Sequence, residues 1–179
     1  VQNIDSARTK GIELEISQYF QNGFGYGLGY TYTDAEINQD AISADGVYVI
    51  NYKGATLAGV PENIFNAWFN YGVPVGQGLL TFRGDYYYQS ETLNVLNQST
   101  SRQYYELDGF NIINLSATYS LNAWDMTLWL KNATNEQGST GIFTIPYMGT
   151  DPSQNYYGSG AKFTNAVPRT LGLTVSYSF

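Results

Sequence analysis

The sequence predicts an all-β protein, an antiparallel transmembrane β-barrel segment of about seven strands. Three observations predict it. Apolar and polar residues alternate with period two through most of the chain, and a 3.6-residue period is almost absent. Aromatic residues reach 16%, with 17 Tyr against 9 Phe and 3 Trp, and tyrosine's apolar ring and polar tip suit a membrane–water interface. The connections between alternating runs are short and long in turn. Mean hydropathy is only -0.27. That value does not argue against a barrel, whose strands average lipid-facing and lumen-facing residues to near neutrality.

The pattern predicts strands over about 8–20, 24–36, 61–72, 79–91, 106–120, 125–134 and 167–179. In the first, Ile12, Leu14 and Ile16 oppose Glu13, Glu15 and Ser17. The second places Phe24, Tyr26, Leu28, Tyr30 and Tyr32 against Gly25, Gly27, Gly29 and Thr31. The third sets Phe65, Ala67, Phe69 and Tyr71 against Asn66, Trp68 and Asn70. The fourth sets Leu80, Phe82, Tyr86 and Tyr88 against Thr81, Arg83, Asp85 and Gln89. In the fifth, Ile113, Leu115, Ala117 and Tyr119 oppose Asn114, Ser116, Thr118 and Ser120; in the sixth, Met126, Leu128 and Leu130 oppose Thr127, Trp129 and Lys131. The last carries Leu171, Leu173, Val175, Tyr177 and Phe179 against Thr170, Gly172, Thr174, Ser176 and Ser178. Each run reaches the about 9–11 residues that a tilted strand needs to cross a bilayer. A soluble sandwich also alternates, but its strands average about 5–6 residues. Tyr30, Tyr32, Tyr86, Tyr88, Tyr119 and Tyr177 fall near strand ends on the apolar face, where an aromatic girdle lies.

Segments 21–23, 73–78 and 121–124 read as short turns. Segments 37–60, 92–105 and 135–166 read as long loops rich in Gly, Asn, Ser, Thr and Asp. Outer-membrane barrels are built this way, with the long loops outside the cell.

Composition also excludes. The chain has no His, so a Ser–His–Asp centre, a histidine proton shuttle and the usual zinc sites lack their imidazole. Histidine-dependent outer-membrane hydrolases are excluded with them. Cysteine is absent, so there is no disulfide framework. A net charge of -7 argues against nucleic acid as a partner. No signal peptide opens the chain at Val1, which predicts a processed protein or a fragment lacking an N-terminal part.

Several runs invite a site reading that their context weakens. Gly23, Gly25, Gly27 and Gly29 repeat every two residues, not in the G-x-G-x-x-G spacing of a nucleotide loop, so lumen-facing glycine is the expectation. Asp34, Glu36, Asn38 and Asp40 alternate oxygens faintly as a calcium loop does, yet Gln39 stands where that loop requires Gly. No metal ligand or cofactor is assigned. Sequons at Asn97, Asn114 and Asn132 carry no weight on such a face.

Four segments resemble, in order, the end of a TonB-dependent outer-membrane receptor. Ala7-Arg-Thr-Lys-Gly-Ile-Glu-Leu-Glu15 resembles a late strand that opens with a small residue, a turn glycine and "(I/V)ELE". Leu57-Ala-Gly-Val-Pro61 with Asn66-Ala-Trp68 resembles the start of a later descending strand. Leu128-Trp-Leu-Lys-Asn-Ala-Thr-Asn135 resembles the penultimate strand's "NLTD"-like ending, with Ala133 and Asn135 departing from its usual form. Pro168-Arg-Thr-Leu-Gly-Leu-Thr-Val-Ser-Tyr-Ser-Phe179 resembles the closing strand.

The resemblance implies a 22-stranded barrel around a plug domain. Residues 1–179 would be the C-terminal part of that barrel, with the plug, the TonB box and the earlier strands outside the chain. It further implies energy-coupled uptake of a scarce nutrient across the outer membrane, foremost a ferric siderophore, with cobalamin and oligosaccharides as other family substrates. The rival is a small structural or adhesive barrel of eight strands, which residues 1–7 are too few to complete. Implied partners are outer-membrane lipid, the plug and TonB complex, the outer-membrane assembly machinery and a small-molecule ligand. The C-terminus would lie on the periplasmic side, and no catalysis is expected.

Expected ligand contacts are Arg83, Asp85 and Lys131 on the lumen face, beside Glu13 and Glu15, for which pairing with the plug or water is the simpler account. In the last long loop Tyr147, Tyr156 and Tyr157 are expected ligand contacts, near Phe143 and Phe163, since exposed loop aromatics often bind. Arg169 would snorkel toward lipid phosphates. Tyr177 and Phe179 resemble a membrane-assembly signal.

Overall fold

The computed structural model describes residues 6–42, 46–47, 49–94, 106–144 and 161–179. Seven strands form one antiparallel sheet: β1 (Ala7–Tyr19), β2 (Phe24–Ile37), β5 (Asn63–Val75), β6 (Gly78–Gln89), β9 (Phe110–Leu121), β10 (Trp124–Lys131) and β13 (Thr170–Tyr177). Each pairs with the next along the chain, and β1 and β13 are the two edges. Among the described residues no helix is long and apolar enough to cross a membrane, which has no bearing on crossing by strands.

Three small strand pairs extend the predicted long loops: β3 (Ala41–Ile42) with β4 (Val49–Asn51), β7 (Thr92–Leu93) with β8 (Glu106–Leu107), the latter at the start of the predicted fifth strand, and β11 (Ser139–Thr144) with β12 (Ala161–Asn165). The predicted strand over 106–120 is therefore two elements, broken at Asp108 and Gly109. The last strand is shorter than the predicted 167–179, because Asn135 Oδ1 takes the Arg169 N–H at 3.0 Å before β13 begins. Gly11 lies inside β1 opposite Thr33, within the strand predicted over 8–20; a Cβ there would collide with the Tyr32 carbonyl oxygen.

At the other end the connections are tight. Gly76 and Gln77 alone join Val75 to Gly78, and Asn122 and Ala123 alone join Leu121 to Trp124. Both turns need a left-handed residue, supplied by Gly76 (φ 61°) and Asn122 (φ 52°).

Register decides the faces. Leu14 pairs with Tyr30, Tyr30 with Phe65 and Phe65 with Tyr88; further along, Leu115 pairs with Leu130 and Leu130 with Leu171. All seven apolar rows predicted from parity therefore merge into one face. Its middle is aliphatic and its two ends are aromatic. At the long-loop end lie Tyr30, Tyr32, Phe65, Tyr86 and Tyr88, with Phe65 and Tyr86 rings 6.0 Å apart. At the short-turn end lie Phe20, Phe24, Tyr26, Tyr71, Trp124 and Tyr177, with Phe20 and Phe24 at 6.0 Å and Trp124 and Tyr177 at 4.7 Å. From Phe24 to Tyr32 the strand rises about 27 Å. A tilt of about 40° reduces that to about 21 Å along the membrane normal, close to the about 25 Å apolar band of such barrels.

Little is buried. Among the described residues the buried apolar side chains are Ala35, Ile37, Ala55, Leu107 and Phe110, all toward the long-loop end. Ile12, Leu14, Ile16, Leu171, Leu173 and Val175 are each more than half exposed. Leu28, Phe69 and Leu128 on interior strands of that face are exposed too. A sheet with so much exposed apolar surface and no second layer against it among the described residues is built for lipid on that side.

Candidate functional site on the polar face

The opposite face carries the polar row of every strand, and its centre is two tryptophans lying across glycines. Trp68 on β5 faces Gly27 on β2, and Trp129 on β10 faces Gly172 on β13. A Cβ on either glycine would collide with the facing indole. Period-two glycine thus gives the rings a flat floor; an aromatic residue laid over a cross-strand glycine also pins register.

Each indole carries a cation. The Arg83 guanidinium sits 5.9 Å from the Trp68 ring centre, and the Lys131 ammonium 5.3 Å from that of Trp129. The Tyr19 ring lies beside Trp68, with centroids 5.4 Å apart and planes tilted by 39°. Trp129 Nε1 donates to Thr174 Oγ1 at 3.1 Å.

Arg83 and Asp85, both expected to be free for a plug or ligand, bind each other. Arg83 Nε donates to Asp85 Oδ2 at 3.0 Å, and the terminal guanidinium nitrogen reaches Oδ1 at 2.5 Å. The spacing i, i+2 on a strand puts both on one face, and the fork matches the carboxylate. Lys131 has no carboxylate partner among the described residues. Asp85 pairs with Asn114 on β9, and the Asn114 side chain accepts the backbone N–H of Asn132 beside Lys131. Arg83, Asp85 and Lys131 therefore occupy one band, with Lys131 two strands, about 10 Å, from Asp85. Glu13 and Glu15 lie on the same face of the β1 edge, opposite Thr31 and Gly29. Trp68, Trp129 and Tyr19 were not singled out from sequence; their signal was an aromatic residue in a polar row facing glycine.

Above this band, at the long-loop end, hairpins β7–β8 and β11–β12 border an open recess of about 650 Å³. Ile64, Tyr87, Gln89, Thr92, Leu107 and Ile142 help to line it, and among the described residues no charged side chain does. Tyr87 donates to Gln89 Oε1 at 3.0 Å. Thr92 is buried, and its hydroxyl has no partner among the described residues. Tyr147, Tyr156 and Tyr157 lie outside the described residues. Phe163 on β12 is exposed.

The alternating oxygens of residues 34–40 are committed elsewhere. Asp34 pairs with Lys10 at 3.0 Å, Glu36 pairs with Arg8, and Asp40 Oδ1 accepts the Lys53 N–H at 2.7 Å. Among the described residues no three His, Cys, Asp or Glu side chains gather as a metal site.

Comparison with known proteins agrees with this architecture. The family described as "TonB dependent receptor-like, beta-barrel" matches residues 1–135. Three solved structures share the fold. The ferric preacinetobactin receptor BauA of Acinetobacter baumannii is 22% identical over 97% of this chain and 22% of its own, with a TM-score of 0.66. The siderophore receptor PiuA of Acinetobacter baumannii is 19% identical over 96% of this chain and 22% of its own, at 0.71. The ferric-catecholate import receptor Fiu of E. coli is 19% identical over 99% of this chain and 23% of its own, at 0.66. The chain thus spans under a quarter of the length of these proteins. A comparison with curated proteins returns no match. TonB-dependent receptor barrels are outer-membrane proteins and are receptors and transporters, not enzymes. By the match over residues 1–135 and the seven-stranded, two-faced sheet, this chain belongs to the TonB-dependent receptor β-barrel family.

Proposed function

We propose that residues 1–179 are the C-terminal wall of a TonB-dependent receptor that takes up a ferric siderophore across the outer membrane. The observation that carries the reading is the two-faced sheet. One face is a lipid belt between two aromatic girdles; the other combines a cation-bearing tryptophan band with a recess beneath the hairpins. The family match and three siderophore receptors of the same fold support that choice of ligand.

In this reading the hairpins face outside, the recess and loop tyrosines meet the ligand, and Arg83, Asp85 and Lys131 line its path beside the plug. The C-terminal end is periplasmic: Ser178 N–H bonds to the Ala123 carbonyl in a short turn, the end that faces the periplasm in such barrels. Tyr177 and Phe179, with rings 6.2 Å apart on the lipid side, form the assembly signal.

The test is radio-iron uptake by cells that lack their own siderophore receptors and express the full-length protein. Saturable uptake of at least one ferric siderophore, abolished by a proton uncoupler, is expected. Uptake of cobalamin or an oligosaccharide in its place, or none at all, overturns the reading.

A further inference from the structure

Beyond the aromatic girdle at the long-loop end, the lipid-side rows of β1 and β2 do not stop. They continue into charge. Parity puts Lys10 and Arg8 on the face of Ile12 and Leu14, and Asp34 and Glu36 on the face of Tyr30 and Tyr32. The register sets Ile12 against Tyr32, Lys10 against Asp34 and Arg8 against Glu36. Lys10 meets Asp34 at 3.0 Å, and Arg8 meets Glu36. The two ion pairs form a ladder up the outside of the wall, not in the lumen.

Its height identifies what surrounds it. Lys10 and Asp34 stand about 7 Å along the strand beyond Ile12 and Tyr32, and Arg8 and Glu36 about 14 Å. At the same tilt of about 40° these become about 5 and about 11 Å along the membrane normal. The headgroup layer is about 5–8 Å thick on each side of the hydrocarbon. Above the Tyr30 and Tyr32 rings, the Lys10–Asp34 rung therefore lies within that layer and the Arg8–Glu36 rung at its outer rim, where long side chains reach back to the headgroups.

Arg8 and Lys10 lie on β1, the open edge of the described sheet, on the same row as Ile12 and Leu14, and each is held by a carboxylate of β2. Each cation retains N–H donors: a guanidinium has five and an ammonium three, and one carboxylate does not exhaust either. Outward-facing guanidinium and ammonium groups at headgroup depth match phosphate oxygens.

We propose that the Arg8–Glu36 and Lys10–Asp34 ladder is a docking site for phosphorylated lipid headgroups of the surrounding leaflet. The cations bind the phosphate, and the carboxylates hold them in place. The site is separate from ligand uptake, since it lies on the opposite face of the sheet from Trp68 and Lys131.

The test compares the melting temperature of the full-length protein in bilayers of a phosphate-free galactolipid with that in the same bilayers containing diphosphorylated lipid A. The wild-type protein should melt higher with lipid A. The double variant Arg8→Gln, Lys10→Gln should lose at least half of that rise, and single Arg8→Gln a smaller part. The double variant Asp34→Asn, Glu36→Asn should retain at least half of it, because the cations remain. An equal rise in the wild-type protein and both double variants overturns the proposal. So does an equal loss in the two double variants, which would make the ladder an internal brace only. A rise of the same size from inorganic phosphate added to the galactolipid bilayers also overturns it, by revealing a free-anion site.

Discussion

Asn132 ties together three segments at the long-loop end of the sheet. Its backbone N–H reaches Asn114 Oδ1 at 3.0 Å, its side-chain nitrogen reaches the carbonyls of Glu136 and Val167, both at 2.9 Å, and its Oδ1 takes the Glu136 N–H at 2.8 Å. It does so from a left-handed backbone, φ 48°, while fully enclosed. This gives the "NLTD"-like run a physical meaning: its asparagines are rivets, Asn132 to Val167 and Asn135 to the Arg169 N–H. The string was legible in the sequence, but the reason for it was not, because its partner Val167 is 35 residues away. Asn132→Ala should remove three side-chain bonds, strand buried groups worth about 1–3 kcal/mol each, and keep the strained φ. An overall loss of about 3 kcal/mol is expected from reversible urea unfolding of the full-length barrel in lipid. Asn132→Gly loses the same bonds without the strain, so it should be about 1 kcal/mol less damaging than alanine. Glycine as damaging as alanine, or more so, would remove the backbone part of the argument.

Strand parity was fully legible because it repeats: every predicted apolar row joined its neighbour in the observed register. The ends of the strands were not, because pairing rather than composition stops them, as at Asp108 and Gly109. The site was legible only in part. Arg83, Asp85 and Lys131 fell on the face predicted, but that Arg83 spends its fork on Asp85 depends on rotamers, which parity does not give. The closing strand offers a direct test of the faces. Leu173 pairs with Leu128 on the lipid side, and Thr174 with Thr127 on the other, accepting from Trp129 Nε1. Arginine on the lipid side near the midplane should cost ~2–4 kcal/mol, while the watery side should tolerate it. Leu173→Arg should therefore unfold at markedly lower urea in lipid vesicles. Thr174→Arg should lose about 1 kcal/mol with its hydrogen bond, and its defect should appear in ligand uptake. The reverse order would mean that the strand is offset by one residue.

Seven strands make a curved wall with two open sides. The sheet runs from β1 to β13, and its terminal strands do not pair with each other among the described residues. β1 has 13 residues, so about half of its backbone N–H and C=O groups point away from β2 with nothing to meet. In hydrocarbon each such group costs several kcal/mol, more than an exposed leucine gains by leaving water. The sheet is also too narrow to curl on itself without changing the register that aligns its apolar rows. Family membership and a span of under a quarter of its structural neighbours point to the same remedy, further strands on both sides. Residues 1–179 produced alone should therefore fail to form a monomeric barrel. Refolded into detergent, the fragment should migrate identically in gels whether boiled or not and show no cooperative melt in its β-sheet circular dichroism. Adding the missing strands as a second polypeptide should restore both the heat-dependent mobility and the melt, since the new edges complete the ladders of β1 and β13. A sharp melt and heat-dependent mobility from the fragment alone, as a monomer, would mean that seven strands can close, and the architecture proposed for the whole molecule would fail with it.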